Sequence, residues 1–138
     1  MNPNELQLED WVMFDTCFSD EDADEDFRPA QIQTLDDIEL AIGQKTAHGL
    51  DVYQPIQLER FHLEHNHFVE RDGDMHRFDE SFELSLHRIS QTWWQATYRD
   101  LEEIEDLPPQ QVNLYAVHQL QHFMRHCLID EEIQINPL

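Results

Sequence analysis

"VNLYAVHQLQHFMRH" covers residues 112–126, and its reading decides the fold. At about 100° per residue, Val117, Leu120, Phe123, Met124, Cys127 and Leu128 share one broad helical face. His118, His122 and His126 fall on the opposite flank, within about 80° of one another. Pro108-Pro109 blocks any preceding element, and Pro109 suits a first helical turn, so the pattern predicts a helix running to about His126. Histidines at i and i+4 chelate zinc in the metalloprotease helix. Here "HQLQH" lacks the glutamate of HExxH, and no acid follows on that turn. The row reads as the solvated side of an amphipathic helix, whose apolar side needs a sheet to cover it.

Strands with the right period lie upstream. "FELSLHRI" (82–89) alternates Phe82, Leu84 and Leu86 with Glu83, Ser85 and His87. "TWWQATYR" (92–99) follows after Ser90-Gln91, placed as a two-residue hairpin turn. Trp93 and Trp94 then point to opposite faces, one into the core and the other outward or under the helix. The stripe Val117, Leu120, Phe123 and Met124 is expected to face Leu84, Leu86 and one tryptophan. "RDGD" (71–74) is a turn, and residues 58–66 suggest a short helix closed by Asn66.

The first half reads as further strands. "LEDWVMF" (8–14) suits one, and the acidic run "SDEDADED" (19–26) self-repels and so forms a solvated loop. In "PAQIQTLDDIELAIG" (29–43) two alternating runs flank Asp36-Asp37, where a hairpin turn is expected; Leu35, Ile38 and Ile42 also fit a helical spacing. Pro55 limits "GLDVYQPIQL" (49–58) to an edge or an end. The tail "EEIQI" can add one short strand. The expectation is one α+β domain over residues 1–138: a small bent antiparallel sheet, SH3-like in its first half, with one main C-terminal helix packed on it.

Charge is the outlier. Thirty Asp and Glu face eight Lys and Arg, a formal charge of −22, and Lys45 is the sole lysine. Phosphate binding is built on Lys and Arg, so direct contact with nucleic acid or an anionic membrane is disfavoured. No apolar run reaches the length of a membrane span. The start "MNPNELQLEDW" has neither the basic nor the apolar region of a signal peptide. Cys17 and Cys127 form no CxxC. A cytoplasmic protein with reduced thiols is expected.

Residues that carry chemistry are sparse. "HLEHNH" (62–67) offers His62, Glu64, His65 and His67, a donor set suited to Zn²⁺. No second cluster closes a tetrahedron, so no metal or other cofactor is expected. With three glycines there is no phosphate loop, and no GxSxG is present. Cys127 falls on the apolar helix face, where burial is the default.

Three segments together resemble a family of small uncharacterised proteins common in Bacteroidetes genomes and their mobile elements. The C-terminal stretch is similar to that family's YVHxLQNLYFALTGxEL through Val117, His118, Leu120, Gln121 and Phe123, with Glu132-Ile133 for Glu-Leu. "YQPIQLERFHLEHNHF" is similar to PIPLTEEILxKNGF through Pro55, Ile56, Leu58, Leu63, Asn66 and Phe68. Leu8 and Val12 match the opening LRIGNYV. The resemblance implies no catalytic residue. It does mark two departures: Glu59 stands for a capping threonine, and His67 for a glycine helix stop. It also implies a half-buried packing role for His62, which sits where that family has an apolar residue.

The leading expectation is a non-enzymatic interaction protein whose acidic surface meets a basic partner protein. The runner-up is a metal-dependent hydrolase using His62, Glu64, His65 and His67. A third is a DNA mimic that blocks a DNA-binding protein. Like charges in this excess repel, and the Debye length shrinks from about 30 Å at 0.01 M salt to about 3 Å at 1 M. The thermal midpoint is therefore expected to rise from dilute buffer to molar chloride. An unchanged or lower midpoint would contradict the charge argument.

Overall fold

The computed structural model describes residues 5–20, 23–46, 48–102, 109–127, 129 and 132–135. The chain is α+β and divides into two compact units, the first centred on Met1–Ile56 and the second on Gln57–Asn136.

The first unit holds strands β1 (Trp11–Asp15), β2 (Phe27–Gln31) and β3 (Tyr53–Gln54) in the antiparallel order β2-β1-β3, with helix α1 (Leu35–Gly43). Leu6, Val12, Ile32, Val52 and Tyr53 form its buried cluster, and Phe14, Phe18, Ile38, Leu40 and Ala41 pack against it. As expected from Pro55, β3 is a short edge strand. The acidic run lies between β1 and β2, and the strand ends hold it closed. Asp15 is buried, and its Oδ1 accepts from the N–H groups of Cys17 (3.0 Å) and Asp26 (2.9 Å).

The hairpin expected at Asp36-Asp37 is instead the first turn of α1. Thr34 caps it: its hydroxyl accepts from Asp37 N–H at 3.3 Å, while Asp37 Oδ2 accepts from Thr34 N–H at 3.0 Å. This reciprocal box satisfies amides that a helix start leaves open. Asp36 and Asp37 also sit where the helix dipole favours negative charge. The helical spacing of Leu35, Ile38 and Ile42 was therefore the correct period. Only Ile38 of the three packs inward; Leu35 and Ile42 stand exposed.

The second unit is a five-stranded antiparallel meander: β4 (Val69–Arg71), β5 (Asp74–Phe78), β6 (Phe82–Arg88), β7 (Trp94–Asp100) and β8 (Gln110–Leu114), in chain order. Helix α2 (Arg60–His65) precedes the sheet, and α3 (Val117–His126) follows it. Asp72 (φ 55°) and Gly73 (φ 86°) turn the β4–β5 hairpin with two positive φ values, the geometry that matches strand twist. In register, Met75, Leu86 and Ala96 align across one face, as do Trp94 and Leu114; Leu84 shares that face, and all six are buried.

Trp94 is the inward tryptophan. Its indole N–H donates to Leu58 O at 3.0 Å, and the Arg88 guanidinium lies 5.1 Å above its ring. Trp93 is exposed and meets Tyr115 edge-on at 5.1 Å. The turn between β6 and β7 is longer than Ser90-Gln91: Arg88 pairs with Trp94, and Ser90 Oγ accepts from Thr92 and Trp93 N–H.

The main helix starts later than its sequence pattern suggests. Residues 110–114 form β8 beside β7, and the helix begins at Val117. Tyr115 O accepts from Leu58 N–H at 2.7 Å, and Gln119 Oε1 accepts from Tyr115 N–H at 2.8 Å, so the chain is pinned at this corner. Val117, Leu120, Phe123 and Met124 are all buried, as expected of the apolar stripe. Residues 132–135 of the tail are not a strand, although Ile133 and Ile135 are buried. Pro108, Leu128 and Glu131 lie outside the described residues.

Candidate functional site

The histidine row of α3 does not lie uniformly in solvent. His118 is 1% exposed, His122 is half-buried and His126 is exposed. The helical wheel fixes angle, not depth along the axis. The first turn of α3 leaves the pinned corner at Ala116, where Ala116, Val117, His118, Leu120 and Gln121 are all buried. In the last turn Phe123 and Met124 stay buried, Arg125 is half-buried and only His126 of these four is exposed. His118 and His122 meet edge-on at 5.5 Å.

His122 and His126 open into a groove of about 480 Å³ between α3 and β8, with Gln119 and Phe123 completing the helical wall. Gln110, Gln111, Val112, Asn113 and Leu114 form the other wall. Among the described lining residues there is no Asp, Glu, Lys or Arg, in a chain of which 28% is charged. The groove offers amides, two imidazoles and the apolar surface of Phe123 and Val112. Such a lining suits neutral backbone better than a compact ion, because peptide groups both donate and accept. Reading β8 as helix hid this wall. The signal present was the alternation of Val112 and Leu114 with polar neighbours.

The "HLEHNH" residues are dispersed by α2. His62 is 7% exposed, and its Nδ1 accepts from Glu59 N–H at 2.9 Å, which caps the helix start. Glu64 turns outward to Arg60, at 2.8 Å from its Nε. His65 and His67 line a second cavity of about 320 Å³ with Asn66, Arg77, Glu132 and Gln134. Among the described residues, no three His, Cys, Asp or Glu side chains converge as a metal set. Asn66 is buried and does structural work there. It donates to His62 O (2.7 Å) and Gln134 O (2.9 Å) and accepts from Gln134 N–H (2.7 Å), fastening the tail to α2.

His67 ends α2 with a left-handed backbone, φ 69°, while Phe68 N–H reaches back to Leu63 O at 3.0 Å. Glycine takes that conformation without a Cβ penalty. His67→Gly is expected to stabilise the protein by about 0.5–1 kcal/mol, read as a shifted denaturant midpoint. A destabilised variant would show that the His67 side chain matters more than its backbone.

Burial holds the His62 imidazole below its ordinary value of 6.5; Glu59 opposes the shift and His65 adds to it. Because the folded value is depressed, the stability is fully present above pH 6.5 and is lost as pH falls through the folded value. Protonation also removes the Nδ1 acceptor that caps α2. His62→Gln keeps a capping acceptor that does not titrate in this range. Denaturant midpoints between about pH 7.5 and about pH 5 are expected to fall less steeply in the variant than in the parent. Parallel curves would contradict the assignment.

Both cysteines are free; Cys127 is buried, and its thiol is pushed up to about 11. No helix among the described residues is long and apolar enough to cross a membrane. Comparison of the chain with family models, curated proteins and solved structures returned no match.

Proposed function

We propose that this is a non-enzymatic interaction protein that binds a basic partner protein through its acidic surface. The observation that carries the reading is the excess of thirty acids over eight Lys and Arg, with a formal charge of −22. Most of the acids whose surroundings are described stand outside the core: Asp24, Asp36, Glu39, Glu64, Asp79, Glu80 and Glu102 are exposed, whereas Asp10 and Asp15 are buried. A field of one sign accelerates encounter with an oppositely charged partner and disfavours like-charged ones.

The test is a titration of the purified chain against three fluorescent probes: a lysine- and arginine-rich peptide, a glutamate-rich peptide and a short DNA duplex. The reading predicts saturable binding of the basic peptide alone. Failure of the basic peptide to bind, or equal binding of the acidic one, would overturn it.

A further inference from the structure

Among the described residues each sheet ends in two edge strands, and three of the four are protected in recognisable ways. β2 carries Arg28 and Pro29. β3 is two residues long and runs into Pro55. β4 carries Glu70 and Arg71, and Glu70 is paired with Arg60. Charges, prolines and short strands are the usual means by which sheet edges avoid pairing with another chain.

The edge at β8 has none of them. Its five residues, Gln110–Leu114, include no charge and no proline, and Gln110–Asn113 are exposed. Among the described residues, β8 pairs with β7 alone. Alternate backbone groups of such a strand face away from their neighbour and stand ready to pair. Alongside lies the groove walled by β8 and α3, with room for side chains of an added strand.

We infer that the β8 edge is where the partner docks: an extended segment bearing lysine or arginine adds there as a further antiparallel or parallel strand. This inference rests on the basic-partner reading above. Charge selects the occupant. A second copy would bring its own −22 to the same edge, whereas a basic segment is drawn to it. Asp100 lies at one end of this edge, two residues beyond Tyr98, the β7 residue opposite Gln110, with Arg99 between them. The uncharged edge then supplies short-range register through main-chain hydrogen bonds, and alternate side chains reach the groove.

The experiment uses the full chain and two synthetic peptides of roughly a dozen residues alternating valine and lysine, one carrying N-methyl groups on alternate amides. N-methylation keeps the charge and removes donors along one edge of the peptide. Amide hydrogen exchange at Gln110–Asn113 is expected to slow about tenfold with the plain peptide, and the methylated peptide is expected to bind at least about tenfold more weakly. Equal affinity of the two, with exchange in β8 unchanged, would overturn strand addition and leave the basic-partner reading standing. Binding by neither would overturn both. Protection of the same amides that grows with protein concentration in the absence of peptide would assign the edge to a second copy, and overturn the proposal.

Discussion

Leu120→Ala is expected to lower the free energy of unfolding by about 2–5 kcal/mol. Leu120 is 1% exposed at the centre of the α3 stripe, between Met124 and Phe123 on the wheel, and both of those are buried. Truncation removes transfer energy and leaves a cavity that close-packed neighbours fill only in part. For a domain whose whole stability is about 5–15 kcal/mol, that is a large share. His126 on the emerging end of the same helix is exposed, and His126→Ala is expected within about ±0.5 kcal/mol. Denaturant melts of the two variants compare depth along one helix directly. Equal costs would contradict the placement of α3.

Asp15→Ala is expected to destabilise the first unit by roughly 3 kcal/mol, because two N–H groups lose a charged acceptor at once. Those groups, on Cys17 and Asp26, mark the two ends of the loop between β1 and β2. The carboxylate is 1% exposed, so water does not readily replace it. Asp15→Asn keeps an acceptor oxygen and is expected to lose much less. Near-neutral behaviour of the alanine variant would show that the loop closes by other means. The described acids thus divide by place: Asp10 and Asp15 are buried and accept backbone N–H bonds, whereas others, Asp24, Asp36 and Glu39 among them, stand exposed.

What could be read from residue order followed the strength of each local signal. The β6 and β7 strands were legible because Phe82, Leu84 and Leu86 alternate cleanly with polar residues, and the α3 stripe because Val117, Leu120, Phe123 and Met124 hold a helical period. Helix α1 was misread as a hairpin: Asp36-Asp37 resembles a turn, but Thr34 and Asp37 at the spacing of a capping box carried the better signal. β8 was absorbed into the helix because its partner strand, not its own propensity, decides its state. The depth of His118 was invisible, since a wheel has no information about which end of a helix is enclosed. The groove went unseen for the same reason, as it exists only once β8 and α3 stand side by side. By contrast, the packing role that the family resemblance implies for His62 agrees with its burial and its capping bond to Glu59.

The basic-partner account depends most on electrostatic attraction, and a salt series measures that directly. Calorimetric titration of the lysine- and arginine-rich peptide into the full chain is repeated from about 0.05 M to about 0.5 M chloride. The account predicts saturable binding that weakens by about tenfold or more across the series, as screening shortens the reach of the acidic field. Affinity unchanged by salt would contradict it.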